Sequence, residues 1–212
     1  MSRHHVKIDD SSMQLQATFL GRRSAAILFA AAFGSAAFAG SPAMQGIGNF
    51  HKVDDHVYRG AQPSSEGFHA LAKLGIKIVV DLREPGERSQ SEEKLVTGEG
   101  MQYVPVPMQG MHAPPDESVI RVLNLLEDTT TGPVFVHCMR GADRTGNVIA
   151  CYRIEHDHWQ NERALAEARS LGMSRFEKAI QHYVLKYQPR PLNIAPALAG
   201  AATAPAAASV QQ

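Results

Sequence analysis

The chain has 212 residues, and its 21 Lys and Arg balance its 21 Asp and Glu, so the formal net charge is zero. This balance gives no electrostatic reason to expect a nucleic acid or an anionic membrane surface as a partner. Two cysteines are too few for a disulfide framework. The ten histidines lack the spacing of metal ligands, so we expect neither a metal nor another cofactor.

Residues 1–39 are predicted to be a leader that contains a signal peptide. Paired Arg22-Arg23 precede the apolar, small-residue-rich segment Ser24–Phe38, and an A-x-A pattern follows just before Gly40. A basic part, an apolar part and a small-residue site in this order are typical of a secretory signal peptide. The apolar segment is short for a membrane span, which needs about 20 residues. We therefore expect cleavage near Gly40, export to the periplasm or the medium, and no stable membrane insertion afterwards.

The rest of the chain divides into a linker, a folded domain and a tail. Residues 40–49 are the predicted linker, residues 50–188 the domain, and the Ala- and Pro-rich residues 189–212 a disordered tail. The first half of the domain contains a hairpin over Phe50–Arg59, a helix from Pro63 to Gly75, a buried strand over Ile76–Leu82, a polar helix over Glu87–Glu99, an edge strand over Tyr103–Val106 and a loop over Pro107–Pro115.

The second half of the domain is predicted to be mainly helical around one buried strand. Its elements are a helix capped by Asp116, a strand over Val134–Val136, an apolar helix over Thr145–His158, a helix over Ala164–Leu171, and a last helix that starts at the capping box Ser174–Glu177 and has Phe176 in its apolar stripe. Strands that alternate with helices predict an α/β fold, with a central, mostly parallel sheet of four to five strands flanked by helices.

The candidate site lies in the stretch Gly132–Ile149. A strand ends at Cys138, Arg144 follows after five intervening residues, and Thr145 begins an apolar helix. The backbone N–H groups of such a loop and a helix N-terminus attract a tetrahedral oxyanion, and a guanidinium binds two of its oxygens. The same field stabilises a thiolate, which makes the cysteine a nucleophile. The predicted phosphate-binding residues are Met139, Arg140, Gly141, Ala142, Asp143 and Arg144.

The loop matches a known signature, H-C-x-x-G-x-x-R-[S/T], with His137, Cys138, Gly141, Arg144 and Thr145 at its defined positions. It resembles the loop of the cysteine-dependent protein tyrosine and dual-specificity phosphatase superfamily. The stretches V-Y-R-G-A-Q-P and V-V-D-L-R, upstream of the loop, are similar to the opening and the second strand of small bacterial dual-specificity-like phosphatases. The resemblance covers about residues 50–188.

The resemblance implies a phosphomonoester hydrolase that works through a cysteinyl-phosphate. Cys138 would attack phosphorus, Arg144 would stabilise the equatorial oxygens, and Thr145 would help the sulfur to leave. We expect a protein tyrosine or dual-specificity phosphatase, a monomer, whose partner is a phosphorylated protein or a small phosphomonoester. Two alternatives stay open: an inositol phosphate or phosphoinositide phosphatase, and a catalytically silent phosphate-binding module.

The general acid is the part of the mechanism for which the sequence departs from the common pattern. Many relatives place an Asp on a mobile loop before the Cys, whereas the loop before Asp116 holds no carboxylate. The candidates are Asp143, next to Arg144, as the first choice and Asp116 as the second. Relatives with Asp-Arg at this point are proposed to use that Asp as the acid. Cys151, two turns into the helix, is expected to be a buried, inert thiol.

Overall fold

The computed structural model describes residues 44–190, so the predicted signal peptide and nearly all of the predicted tail lie outside the described residues. The strands are β1 (His51–Lys52), β2 (Val57–Ala61), β3 (Ile78–Asp81), β4 (Gln102–Pro105) and β5 (Val134–Cys138). The α-helices are α1 (Ser65–Leu74), α2 (Glu87–Gly98), α3 (Asp116–Glu127), α4 (Asp143–Glu155), α5 (Asn161–Ser170) and α6 (Lys178–Lys186), and a 3-10 turn covers Thr129–Thr131.

These strands form one five-stranded sheet in the order β1-β2-β5-β3-β4. Strand β5 is central and runs parallel to both neighbours, with Val136 opposite Arg59 on β2 and Val80 on β3. Strand β4 is parallel to β3, and only the short β1 is antiparallel, as the first arm of the hairpin with β2. The predicted mostly parallel α/β sheet is confirmed.

The core divides between the two faces of the sheet because successive strand side chains point to opposite faces. Val134 and Val136 of β5 pack in a cluster with α3 and α4, whereas Phe135 lies in a cluster with α1 and α2. Phe135 is fully buried, and truncation of such a ring to alanine typically destabilises a protein by about 3–5 kcal/mol. A third cluster joins α4 to α5 and α6. Helix α4 is therefore buried on both sides, in agreement with its apolar sequence.

The predicted start and end of α1 are confirmed. The Ser64 side chain accepts a hydrogen bond from the Gly67 N–H at the helix start, and Gly75 ends the helix with φ at +94°. Serine satisfies a free N–H at the start, and glycine adopts the left-handed conformation at the end without strain.

Two predicted helix starts are wrong. Pro115, not Asp116, is the N-cap of α3, and Asp116 is the first helical residue. Helix α6 starts at Lys178, because Ser174 accepts a hydrogen bond from the Phe176 N–H within a turn rather than in a capping box. Phe176 is consequently 82% exposed and lies outside the apolar stripe of α6.

The second half of the predicted linker packs against the domain. Met44 and Ile47 form a β-bridge, and Ile47 is buried. Asn49, just before the hairpin, hydrogen-bonds backbone carbonyls near residue 141 and at Leu171. Within residues 44–190, no helix combines the length and the apolar character that a membrane crossing requires.

Candidate active site

The predicted loop connects the central strand to the N-terminus of α4. Cys138 is the last residue of β5, and α4 begins at Asp143, so residues 139–142 turn at the carboxyl edge of the sheet. Ligands bind at this edge in open parallel sheets. The structure thus brings the six predicted phosphate-binding residues together: four form this turn, and the other two are the first two residues of α4.

Gly141 permits the tight approach of this loop to β2. Its φ is +64°, and a Cβ built there would lie 2.3 Å from the carbonyl carbon and oxygen of Gly60 and 2.5 Å from the Ala61 nitrogen. A residue with a side chain fits neither the conformation nor the space. The glycine of the signature is therefore required by a contact with β2 as well as by the turn itself.

Cys138 is almost completely buried, with 2% of its surface exposed. Burial alone would raise the pKa of its thiol, but the Thr145 hydroxyl and N–H, the Arg144 charge and the Ala142 N–H outweigh burial and lower that pKa. Thr145 is itself fully buried, and its hydroxyl has no aligned hydrogen-bond partner among the described residues. A thiolate at Cys138 is the nearby group that accepts this O–H, which favours the ionised, nucleophilic form.

Arg144 extends from the first turn of α4 across the carboxyl edge of β3. Its Nη1 donates to the Met108 carbonyl at 3.3 Å and, at the limit of a hydrogen bond, to the Leu82 carbonyl at 3.5 Å. A cleft of about 370 Å³ opens beside it. The lining residues are Arg83, Glu84, Gly86, Glu87, Arg88, Ser89, Met139 and Arg144. The guanidinium therefore stands at the wall of a cleft large enough for a phosphorylated side chain.

The two carboxylates predicted as proton donors lie in different surroundings. Asp143 accepts a hydrogen bond from the Ser174 N–H at 2.8 Å through Oδ1 and one from Arg140 through Oδ2. Asp116 accepts a hydrogen bond from the Tyr183 hydroxyl at 2.8 Å. Asp143 is part of the loop, whereas Asp116 is engaged with α6.

A buried polar cluster behind the loop was not predicted as a unit. Arg83 donates to both oxygens of Asp81, at 2.8 and 2.7 Å, and to Glu92 at 2.7 Å, and Tyr103 donates to Asp81 at 2.8 Å. Burial would raise the pKa of Asp81, but its bonds to Arg83 and the nearby His137 outweigh burial and lower it. The sequence left open whether Arg83 lines the mouth of the site or is solvated; it is 6% exposed and belongs to this cluster.

His137 joins the same cluster from β5. Its Nε2 lies 2.8 Å from Glu92 Oε1, although the two atoms are not aligned as a hydrogen bond. Asp81, Glu92 and His137 also form a group whose ligand atoms all lie within 4.8 Å of one another. The Arg83 guanidinium already bonds both carboxylates, so the cluster has its cation and is a poor fit for a metal ion.

Arg59 and Asn49 lie under the loop. The sequence left open whether Arg59 lines the mouth of the site or is solvated, and it placed Asn49 in the linker. Arg59, on β2, is 1% exposed and donates from Nη2 to the Gly141 carbonyl, to which Asn49 Nδ2 also donates at 2.8 Å. Burial lowers the pKa of Arg59 to about 10, against the opposing effects of Glu167 and Cys138. A charged residue inside a buried strand is the signal that could have identified Arg59, because such residues are rarely buried without a partner.

Cys151 has the opposite environment to Cys138. It is fully buried on α4, it forms no disulfide, and burial raises the pKa of its thiol. The prediction of a buried, unpaired thiol at this position is confirmed.

The fold and the site together define the tyrosine-phosphatase-like class: a C-x5-R loop at the carboxyl end of the central parallel strand, closed by a helix. Comparison with known proteins agrees. Residues 42–184 match the family described as DSP-PTPase phosphatase fused to NAD+ kinase, and the chain belongs to this family. The resemblance inferred from the loop is thereby confirmed.

Individual relatives fall into two groups by name. The chain is 28% identical over 109 residues to the inositol diphosphatase DSP5 of Arabidopsis thaliana, covering 50% of this chain and 53% of that protein. It is 30% identical over 125 residues to the dual specificity protein phosphatase TpbA of Pseudomonas aeruginosa, covering 58% of this chain and 55% of TpbA. The chain thus spans about half the length of these curated relatives.

Solved structures show the same two groups. The crystal structure of P. aeruginosa TpbA superposes with a TM-score of 0.57 at 25% identity, covering 66% of this chain and 85% of that one. The catalytic core of the PP-IP phosphatase SIW14 of S. cerevisiae superposes with a TM-score of 0.59 at 26% identity, with the same coverage.

Proposed function

We propose that this chain is a phosphomonoester hydrolase that forms a cysteinyl-phosphate at Cys138. One observation carries the proposal: a buried thiol, with its pKa lowered, faces the N–H groups of Ala142 and Thr145 at a helix N-terminus and the charge of Arg144. A dianionic phosphoryl group is stabilised by the same donors that stabilise the thiolate.

The reaction has two displacements. The Cys138 sulfur donates an electron pair to phosphorus, the bond from phosphorus to the ester oxygen breaks, and the leaving oxygen takes a proton from a carboxyl group. Water then attacks phosphorus, gives its proton to the same carboxylate, and the sulfur leaves as a thiolate, with inorganic phosphate as product. Arg144 and the loop N–H groups hold the equatorial oxygens in both steps, and the Thr145 hydroxyl donates to the departing thiolate.

Phosphorylated protein side chains are the substrates that we propose, as for a tyrosine or dual-specificity phosphatase. The relative TpbA supports this class by name. Arg140, the extra cation of the loop, is 65% exposed at its side chain and paired with Asp143, so the loop presents little positive charge beyond Arg144. Relatives named as inositol diphosphatases support the alternative, a more highly charged inositol phosphate.

Hydrolysis of p-nitrophenyl phosphate by the full chain, with no added metal, tests the activity, and Cys138→Ala should abolish it. Cys151→Ala is the matched control, because it removes the other buried thiol and should retain turnover. A folded, reduced protein without turnover would refute the hydrolase and leave the silent phosphate-binding module. Comparing kcat/KM for a phosphotyrosine peptide and an inositol pyrophosphate then decides the substrate class.

Asp143 is the proton donor that we propose, because it lies in the loop next to Arg144, whereas Asp116 accepts a hydrogen bond from Tyr183 on α6. Asp143→Asn should lower kcat about 100-fold on phenyl phosphate, a poor leaving group, and much less on p-nitrophenyl phosphate. Asp116→Asn is the control and should leave both rates unchanged. The reverse pattern would transfer the role to Asp116.

Export is also proposed, from the leader pattern alone. Expression of the full chain in a bacterial host, followed by fractionation and N-terminal sequencing, should give a periplasmic protein that begins near Gly40. An uncleaved chain that starts at Met1 and stays in the cytoplasm would contradict this.

A further inference from the structure

The peptide group between Gly141 and Ala142 is held from one side by two unrelated parts of the chain. Its carbonyl oxygen accepts one hydrogen bond from Arg59 Nη2, on β2, and one of 2.8 Å from Asn49 Nδ2, in the turn before β1. A third, longer contact of 3.4 Å joins Asn49 Nδ2 to the Arg140 carbonyl. Both donors come from segments distant in the sequence, 92 residues away for Asn49 and 82 for Arg59, and not from the turn itself.

The other side of this peptide faces the nucleophile. In a trans peptide the N–H and C=O groups are coplanar and point in opposite directions. Fixing the Gly141 carbonyl toward β2 therefore directs the Ala142 N–H away from β2, and this N–H is one of the groups that lower the pKa of the Cys138 thiol. The orientation of a single peptide plane thus links Arg59 and Asn49 to the reacting atom.

Asn49 also ties the loop to the segment behind it. The same Nδ2 donates to the Leu171 carbonyl at 2.9 Å, just after α5. Three residues further, the Ser174 N–H donates to Asp143, the first residue of α4. The phosphate-binding loop is therefore held at residues 141 and 143 by neighbouring points of one framework.

Arg59 has N–H groups that the Gly141 carbonyl does not use. It is 1% exposed, and its Nε and Nη1 have no hydrogen-bond partner among the described residues. A guanidinium that is buried with unpaired N–H groups is unfavourable for folding, so its location is explained poorly by stability alone. Its positive charge also lies close enough to interact with the Cys138 thiolate.

We propose that Arg59 and Asn49 are positioning residues: they hold the Gly141 carbonyl toward β2 and so keep the Ala142 N–H directed at the Cys138 thiolate and at a bound phosphoryl oxygen. The proposal rests on the proposed function for its catalytic consequence, whereas its effect on the thiolate does not require turnover. A merely structural role would change the free energy of unfolding without changing the chemistry of Cys138.

Asn49→Gly is the main variant, because Asn49 has φ at +50° and glycine keeps that backbone conformation while removing the amide. Asn161→Gly is its matched control. Asn161 is half-buried, and its Nδ2 donates to two distant carbonyls, Val184 at 2.8 Å and Tyr187 at 2.9 Å, away from the loop. Both variants lose an amide that donates to two distant backbone carbonyls, but only the Asn49 amide contacts the loop; Asn49→Gly also removes the 3.1 Å contact between Asn49 Oδ1 and His51 Nε2.

The first measurement is the pH dependence of iodoacetamide alkylation at Cys138, identified by mass spectrometry in the full-length protein. Asn49→Gly should move the midpoint up by about one pH unit, since the thiolate loses an oriented charge-assisted bond. It should also lower kcat about tenfold with little change in KM. This fall in kcat is smaller than the one caused by removing an oxyanion donor, because Arg59 still holds the Gly141 carbonyl. Asn161→Gly should lower the melting temperature similarly and change neither midpoint nor kcat.

Arg59→Lys and Arg59→Met provide the second test, independent of whether Asn49→Gly folds well. Lysine keeps the charge but loses the planar fork, so it should recover only part of the rate that methionine loses. Equal alkylation midpoints and equal kcat in the parent, Asn49→Gly and Arg59→Lys would overturn the proposal. If the parent shows no turnover, a midpoint that is higher in Asn49→Gly than in the parent would support the positioning role and refute the hydrolase instead.

Discussion

Replacing Gly141 by alanine tests how closely the loop depends on β2. The added Cβ would lie 2.3 Å from the Gly60 carbonyl group, a backbone neighbour that cannot rotate away. The left-handed backbone conformation by itself disfavours alanine by about 1–2 kcal/mol. Overpacking against a rigid neighbour adds roughly 1–3 kcal/mol. We expect the free energy of unfolding to fall by about 3 kcal/mol.

Gly75→Ala separates the two contributions. Gly75 also has a positive φ, +94°, but a Cβ there would meet no atom within 4 Å. Urea unfolding followed by circular dichroism should therefore show a loss of about 1 kcal/mol for this control. The kcat of Gly141→Ala should fall by roughly 100-fold, because a displacement of about 1 Å disrupts an aligned site. Equal losses of stability in the two variants, with unchanged kcat, would refute the steric argument.

Three further predictions concern groups around the loop. Thr145→Val should move the alkylation midpoint of Cys138 to higher pH and slow the breakdown of the cysteinyl-phosphate, seen as a larger burst in rapid-quench kinetics; Thr145→Ser should restore both. Glu92→Gln should destabilise the fold by about 3 kcal/mol in urea, because it leaves the buried Arg83 with one carboxylate fewer. Asp81, whose pKa is lowered in the folded state, contributes stability above about pH 4 that is lost as pH falls through the lowered value. A urea midpoint that stays constant from pH 6 to pH 3 would contradict this last prediction.

The sequence predicted those parts of the molecule that depend on neighbouring residues. The loop from Cys138 to Arg144 was identified because strand, turn glycine and helix start follow one another within a few residues. The start and end of α1 were identified for the same reason, since Ser64 and Gly75 act on backbone groups of their own helix.

Contacts between distant residues were not predicted. Asn49 was placed in a linker, although its amide reaches carbonyls 92 and 122 residues away. Arg59 was read as a candidate for the site mouth and is instead buried beneath the loop. The predicted start of α6 was wrong for a related reason. The Ser174 N–H donates to Asp143, and this tertiary contact replaces the local bond of a capping box. Periodicity carries no information on such pairs.

The two thiols of the chain differ in a way that affects its behaviour toward oxidants. Peroxide reacts with thiolates, so oxidation should begin at Cys138 and give a sulfenic acid. Cys151 is buried, un-ionised at neutral pH and eight residues into α4, about 12 Å along the helix from its first residue. It is therefore badly placed to capture the sulfenic acid as an internal disulfide. Recovery of the oxidised protein then depends on a thiol supplied by another molecule, and prolonged exposure leads onward to the irreversible sulfinic acid.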